Sequence, residues 1–210
     1  MKKVLAFFGA FNPPTIAHIE LGRYAMEQTA REGVLYVPSK SVYIAEDQGK
    51  SFAYTDRDRL AMLLAVAQDN PWMRAIDREL LLDVQPRTYD TLCYLRDQGY
   101  EPSLLMGSDK LPELEHEWKY VEEIVSEFGI VCMCRGKDDV LQMLQEDPYL
   151  RSISYGITAL QTPSELRQIS SSEVRSILRE IQTAVSSLKQ MVPPEVADVI
   201  FQQHFTADSV

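Results

Sequence analysis

Short apolar segments alternate with longer amphipathic segments along most of the 210 residues. The apolar segments are rich in Val, Ile and Leu and end at Gly, Pro or polar residues, which is typical of strands buried in a parallel sheet. This alternation predicts a doubly wound α/β fold with a mostly parallel sheet of about six strands. The predicted strands are Val4–Phe8, Val34–Val37, Ser103–Met106 and Gly129–Cys134, with weaker candidates within Met73–Leu82 and Ile153–Leu160.

The amphipathic segments predict helices between these strands and a helical segment at the C-terminus. Thr55 and Asp58 form one predicted capping box, and Ser170 and Glu173 form another. We expect a single domain over residues 1–205, with its C-terminal helical part at about 165–205 and a frayed tail at 206–210. The predicted helices cover Ile19–Arg31, a segment that Thr55 caps and whose buried side is Leu60–Ala67, a segment from Arg87 to Gly99, and Asp138–Gln145. Ser39–Tyr54 is predicted to be a loop.

Composition and charge narrow the function. A net charge of −10 and a pI near 4.8 argue against a general nucleic-acid-binding surface, so an anionic ligand would need locally placed Lys and Arg. No apolar run approaches the roughly 18 residues of a membrane span, and no secretory signal pattern occurs, so we expect a cytoplasmic protein. Cys132 and Cys134 lack a second Cys/His pair at zinc-like spacing and are expected to be reduced core residues.

The segment Val4–His18 forms the first candidate site. A strand that ends at Gly9 and leads into a helix places backbone N–H groups and the positive end of the helix dipole together, which suits an anion. Thr15 and His18 are three residues apart and share a face of a helix that begins near Thr15. With no Cys or Ser nucleophile beside them, they suit stabilisation of charge on a bound phosphate, although a capping His is the alternative.

Two later segments also place polar groups at a strand end or at a helix start. Gly107-Ser108-Asp109 follows a strand, and a carboxylate there can accept hydrogen bonds from ribose hydroxyls or help to hold a hydrated cation. The helix predicted to begin at Ser170 carries Arg175 in its second turn. Taken alone, that second segment is an ordinary helix start with a surface arginine.

These segments together resemble the nucleotidyltransferase superfamily. Residues 9–18, GAFNPPTIAH, resemble its signature loop in the T-x-x-H form of the nicotinate- and nicotinamide-mononucleotide adenylyltransferases, with Thr15 and Ala17 in place of the commoner histidine and glycine. Residues 169–175, ISSSEVR, resemble its phosphate-binding signature. Lys50 before R-x-x-M-L, Thr88 in TYDTL, and G-S-D-x-L-x-x-L-x-x-x-W ending at Trp118 also resemble family segments, as does the closing segment from Met191.

The resemblance implies a Rossmann-like fold and transfer of AMP from ATP to nicotinate or nicotinamide mononucleotide, with release of pyrophosphate, in NAD biosynthesis. It also implies Mg²⁺, held through the phosphates rather than by protein ligands. The implied catalytic residues are His18, Thr15, Lys50 and Arg175. The implied ATP- and phosphate-binding residues are Gly9, Ala10, Phe11, Ser170, Ser171, Arg135, Gly107 and Asp109, and the mononucleotide-binding residues are Asn12, Thr88 and Trp118.

Several alternatives stay open at this point. Lys40 competes with Lys50 for the phosphates, and Thr88 or Asp90 is equally a helix N-cap. The acceptor could instead be phosphopantetheine or FMN, in a related adenylyl- or cytidylyltransferase, or the chain could bind nucleotides without catalysis. The sequence also leaves a homo-oligomer open.

Overall fold

The structure is a computed structural model that describes residues 1–46, 54–134, 138–163, 171–179, 188 and 190–206. Three predicted site residues, Lys50, Arg135 and Ser170, lie outside the described residues, and so does the Ser170 half of the second predicted capping box.

The described strands form a six-stranded parallel sheet with the order β3-β2-β1-β4-β5-β6. The strand order reverses between β1 and β4, where Phe7 pairs with Leu105. Ligands of doubly wound sheets bind beyond the carboxyl ends of the strands at such a reversal. The prediction of a doubly wound α/β fold with about six strands is therefore confirmed. The strands are β1 Lys2–Gly9, β2 Val34–Pro38, β3 Met73–Ala75, β4 Tyr100–Gly107, β5 Ile130–Met133 and β6 Ile157–Leu160.

Helices flank the strands, and the described residues of the predicted C-terminal helical part, about 165–205, include two of them. Short 3₁₀ turns at Ser108–Glu113 and Ser154–Gly156, and a π-helical turn at Ile124–Phe128, supplement the α-helices. The α-helices are α1 Ile16–Gln28, α2 Ser41–Glu46, α3 Asp56–Asp69, α4 Thr88–Asp97, α5 Val121–Glu123, α6 Val140–Glu146, α7 Pro148–Ile153, α8 Ser171–Arg179 and α9 Pro194–Thr206.

The chain divides into two compact units. The first unit comprises residues 1–8, 21–35 and 86–167, and the second comprises residues 9–20, 36–85 and 168–210. The expectation of a single domain over residues 1–205 stays a prediction.

In the first unit, strands β4, β5 and β6 pair in parallel, and the aliphatic side chains of β4 and β5 are buried, whereas Ile157 and Leu160 of β6 are half-buried. Gly129, at φ 73°, lets the chain turn into β5, and its carbonyl accepts a hydrogen bond from the Leu104 amide at 3.0 Å. The buried Ser103 hydroxyl donates to the Phe128 carbonyl at 2.7 Å. These bonds hold β4, which ends at Gly107, in register with the segment that leads into β5.

In the second unit, α3 packs against α9. The predicted capping box at its start is confirmed, because the Thr55 hydroxyl accepts from the Asp58 amide at 3.2 Å and the Asp58 carboxylate accepts from the Thr55 amide at 3.2 Å. The cap sets where α3 begins, and so fixes the positions of Asp56 and Arg59 in its first turns.

Three local predictions were wrong. Residues 41–46 of the predicted loop form α2, where the Ser41 amide donates to the Asp56 carboxylate at 2.8 Å. Only the first part of Met73–Leu82 is a strand, since Leu80 turns back to the Asp77 carbonyl at 2.9 Å. Arg87 rather than Thr88 or Asp90 occupies the N-cap position of α4, without a side-chain cap hydrogen bond, and its amide donates to the Asp90 carboxylate at 3.3 Å.

The cysteines are free thiols. Cys132 and Cys134 are buried in the first unit, as expected for core residues, whereas Cys93 is half-buried. Burial raises the pKa of the Cys132 thiol to about 12, with smaller contributions from neighbouring groups. The thiolate, which is the reactive form, is therefore suppressed there.

We expect thiol alkylation to distinguish these cysteines. At about pH 8, close to the ordinary thiol pKa, iodoacetamide should modify Cys93 in the native protein and leave Cys132 and Cys134 unmodified, because only Cys93 is partly accessible. Peptide mass spectrometry reports the modified positions, and the same reaction in urea is the control, in which all three cysteines react. Rapid native modification of Cys132 would contradict the described burial.

Candidate active site

The turn from β1 into α1 has an unusual backbone. The Asn12–Pro13 peptide bond is cis, and Phe11 has a left-handed φ of 44°. The Phe11 ring folds back over Gly9, where an added Cβ would lie 3.2 Å from the ring Cζ. Glycine at this position therefore gives the buried phenylalanine its space, which is a structural reason for the G-x-F sequence.

Arg59 on α3 holds the first part of this turn. Its side chain is fully buried and donates to the Ala10 carbonyl, to the Ser39 carbonyl at 2.6 Å and to the Asp56 carboxylate at 2.6 Å. Burial lowers the pKa of Arg59, and the hydrogen bond and charge of Asp56 oppose that effect. Although burial alone raises the pKa of Asp56, its hydrogen bonds from Ser41 and Arg59 lower the pKa overall.

Helix α8 holds the second part of the same turn. The Ser171 hydroxyl donates to the Pro13 carbonyl at 2.9 Å, and the Arg175 guanidinium donates to the Asn12 carbonyl at 2.7 Å. Arg175 also donates to the Ser172 hydroxyl at 3.1 Å. The serine and arginine of the phosphate-binding signature (residues 169–175, the second signature) thus contact the signature loop (residues 9–18, the first signature) directly. More than 150 residues separate these contacts in sequence.

Thr15 and His18 form a hydrogen-bonded pair at the start of α1. The Thr15 amide donates to His18 Nδ1 at 3.1 Å, and the Thr15 hydroxyl lies 2.7 Å from the same nitrogen. In return, the His18 amide donates to the Thr15 hydroxyl at 3.3 Å. Thr15 is fully buried and His18 is half-buried. The predicted proximity of these two side chains is therefore present.

Tyr36, in the middle of β2, supports this first helical turn. Its hydroxyl donates to the carbonyls of His18 at 3.0 Å and Ile19 at 3.3 Å. The Phe11 ring lies between Tyr36 and His18, with centroid distances of 5.5 and 5.3 Å. Burial, and then the charge of Glu20, raise the pKa of Tyr36 well above its ordinary value, so the phenol remains a donor.

Lys40, the rival phosphate lysine, has another role in the structure. Its ammonium group donates to the Leu82 carbonyl at 2.5 Å and to the Leu80 carbonyl at 3.1 Å. Its backbone amide donates to the Gln85 side chain at 2.9 Å. The side chain therefore anchors the segment that follows β3.

Asn12 contributes a buried amide next to the cis peptide bond. Its side chain is 2% exposed, and its Oδ1 has no hydrogen-bond partner among the described residues. A buried carbonyl oxygen without a donor costs free energy, typically about 1–3 kcal/mol. Such an atom is a suitable acceptor for a hydroxyl or amide of a ligand.

The first unit holds the other candidates. Ser108 is fully buried after β4, and its hydroxyl donates to the Asp138 carboxylate at 2.7 Å. Asp109 is exposed, and its carboxylate lies beside Gly107, where an added Cβ would meet Oδ1 at 2.4 Å. Thr88 begins α4 and, like Trp118, is half-buried.

The structure therefore groups one set of predicted residues within the second unit. Two supporting residues, Arg59 and Tyr36, were absent from the predicted site. Arg59 had a sequence signal, since it begins the R-x-x-M-L segment, whereas Tyr36 had none beyond its place in a predicted strand. The grouped residues are Gly9, Ala10, Phe11, Asn12, Thr15, His18, Ser171 and Arg175.

No helix in the described part of the chain is both long and apolar enough to cross a membrane. Within the same residues, no cluster of three or more His, Cys, Asp or Glu side chains could hold a metal ion.

The fold and this turn define a protein of the doubly wound α/β class, with an anion-suited helix start after the first strand. Residues 6–177 match the family described as Cytidylyltransferase-like. The chain belongs to that family, and the resemblance to nucleotidyltransferases predicted from its motifs is confirmed.

Curated relatives and solved structures extend the comparison. A "Probable nicotinate-nucleotide adenylyltransferase" of Cytophaga hutchinsonii is 27% identical over 205 residues, which is 97% of each chain. One of the same name from Caldicellulosiruptor saccharolyticus is 28% identical over 206 residues, covering 96% of this chain and 97% of the relative. The structure of Plasmodium falciparum nicotinic acid mononucleotide adenylyltransferase complexed with APC has a TM-score of 0.72 at 19% identity, covering 99% and 98% of the two chains. This last likeness supports the fold.

We expect Arg59→Met to destabilise the protein by about 3 kcal/mol or more, because it removes a buried charge and leaves Asp56 and two backbone carbonyls without their donor. Urea unfolding followed by circular dichroism measures the loss. Arg57→Met is the matched control, since Arg57 is exposed on the same helix and its loss should change stability by at most about 0.5 kcal/mol. Equal effects of the two changes would contradict the role given to Arg59.

Proposed function

We propose that this chain transfers AMP from ATP to nicotinate mononucleotide and releases pyrophosphate, as a step of NAD biosynthesis in the cytoplasm. The relatives named nicotinate-nucleotide adenylyltransferase support this proposal, because they align with this chain over almost their whole length. Nicotinamide mononucleotide is the second acceptor to be tested, since it differs from the first only by an amide in place of the ring carboxylate.

The reaction requires little covalent chemistry from the protein. An oxygen of the acceptor's 5′-phosphate forms a bond to the α-phosphorus of ATP, while the bond from that phosphorus to the oxygen bridging the β-phosphate breaks. The bonding electrons leave with pyrophosphate. Catalysis then consists of aligning the two nucleotides and stabilising the charge that builds on the phosphate oxygens. ATP enters as its magnesium complex, in which phosphate oxygens and water hold the ion.

The observation that carries the proposal is the Thr15–His18 pair at the start of α1. A histidine in the first turn of a helix, directly after a strand and a glycine turn, lies where backbone N–H groups and the helix dipole favour a phosphate. We propose that His18 donates a hydrogen bond to the transferring phosphate, and that the backbone at Gly9–Phe11 assists.

The second signature has a double role in this proposal. Ser171 and Arg175 hold the turn through the Pro13 and Asn12 carbonyls, as described above. A serine hydroxyl, an arginine and a helix N-terminus at one place also suit the pyrophosphate part of ATP, which is the role that the resemblance implies for them. We favour Lys50 over Lys40 as the phosphate lysine, because Lys40 anchors two backbone carbonyls.

The remaining assignments are predictions for substrate binding. Asn12 offers a buried acceptor to the mononucleotide. For the first unit, we propose that Asp109 and Gly107 bind the adenosine part of ATP and that Thr88 and Trp118 bind the pyridine mononucleotide, as the resemblance implies. Arg135 and Ser170 keep their proposed ATP-binding roles.

Pyrophosphate release tests the proposal. With MgATP we expect release in the presence of nicotinate mononucleotide, and less or none with nicotinamide mononucleotide, phosphopantetheine or FMN. Replacing ATP by CTP tests the nucleotide, since the family is described as Cytidylyltransferase-like. Binding of ATP without pyrophosphate release from any acceptor would instead indicate a non-catalytic nucleotide-binding protein.

We expect His18→Ala to lower kcat by about 10²–10³-fold, as for the loss of one hydrogen bond that strengthens in the transition state. The Kd of ATP, measured by calorimetry, should change by no more than about threefold. A loss of ATP affinity with kcat unchanged would show that His18 binds the ground state and the transition state equally, against the proposed role.

A further inference from the structure

The pattern of hydrogen bonds between Thr15 and His18 carries information about where the imidazole proton lies. A backbone N–H can only donate, so the Thr15 amide, 3.1 Å from His18 Nδ1, requires a lone pair on that nitrogen. The Thr15 hydroxyl, 2.7 Å from the same atom, can donate to it while accepting from the His18 amide. In a neutral imidazole the proton must then be on Nε2.

The surroundings hold the ring in this arrangement. Tyr36 fixes the backbone of His18 through its carbonyl, and the Phe11 ring meets the imidazole edge to face at 74°. Thr15 is fully buried, so water has little access to its hydroxyl. A protonated Nδ1 would place two donor hydrogens against each other in this confined space. The positive end of the α1 dipole also disfavours an imidazolium ion in the first turn.

We infer that Thr15 is a positioning residue, whose amide and hydroxyl hold His18 in the Nε2–H tautomer so that it meets a phosphate as a neutral donor. This replaces the expectation from the sequence that Thr15 contacts the phosphates itself. Thr15 takes the place of the first histidine of the H-x-G-H form. A residue that only positions His18 does not need a titratable side chain, so threonine can fill this role. Only the phosphate part of this inference depends on the proposed function.

Nitrogen NMR of the ligand-free protein tests the tautomer directly. Long-range ¹H–¹⁵N spectra distinguish protonated from unprotonated ring nitrogens, and the chain has only three histidines to assign. His18→Gln removes the His18 signals and so identifies them. We expect a neutral ring with the proton on Nε2. A dominant Nδ1–H tautomer, or a doubly protonated ring at neutral pH, would overturn the inference.

Substitutions at Thr15 separate positioning from phosphate binding. Thr15→Val keeps the shape and the amide but removes the hydroxyl, so we expect the Nδ1–H form to become detectable and kcat to fall about tenfold. The Kd of ATP should stay within about twofold, whereas a direct phosphate contact would weaken ATP binding. Thr15→Ser restores the hydroxyl and should recover most of the tautomer signal and of kcat.

These experiments distinguish failure of the inference about Thr15 from failure of the proposed function. If Thr15→Val leaves both the NMR signature and kcat unchanged in a folded protein, the inference is wrong even if pyrophosphate is released. If the wild-type tautomer and its response to Thr15→Val are as expected but no acceptor yields pyrophosphate, the proposed function fails while the positioning role of Thr15 stands. Thermal unfolding of each variant confirms that it is folded before either comparison.

Discussion

The turn after β1 depends on one requirement, which is that buried backbone carbonyls have hydrogen-bond donors. Its residues 11–14 are buried and lie outside any strand or helix, so local secondary structure supplies no donors there. Within the second unit the donors come instead from distant parts of the sequence. The Ser39 amide donates to the Gly9 carbonyl, and Arg59 donates to the Ala10 carbonyl. Side chains of α8 donate to the carbonyls of the two residues that follow Phe11. The start of α1 is tied in the same way, since the Ile16 amide donates to the Met191 carbonyl at 2.9 Å. The position of the histidine on that helix thus results from the whole unit.

The same requirement explains how an acidic chain uses its cations. With a net charge of −10, the protein needs locally placed arginines and lysines to face an anionic ligand. In the second unit, Arg59, Arg175 and Lys40 each bind backbone carbonyls. Arginine suits this task because its planar group can serve several acceptors at once, as Arg59 does for three. These three side chains therefore hold the chain in place, and Arg175 is the one among them that is also proposed to bind the phosphates.

Local patterns predicted most of the secondary structure because each signal acts over a few residues. The capping box at Thr55 marked the start of α3, and the apolar segment at Ser103–Met106 marked the core of β4. The errors arose where a distant partner decides the outcome. α2 has no periodicity to reveal it and is held by the Asp56 carboxylate, while β3 stops early because the chain turns back at Asp77.

By itself, the sequence determined the fold class and the strand–glycine–helix turn. It also identified the residues of that turn as candidate site residues. Their residue types and spacings encode those features locally, and together with the order of the motifs they indicated the family. Only the tertiary structure decided how these residues are used. It showed that Thr15 bonds the imidazole, that Lys40 anchors a neighbouring segment, and that Arg59 and Tyr36 support the turn. Such roles depend on which donor meets which acceptor after folding, and residues far apart in sequence meet only in the packed chain.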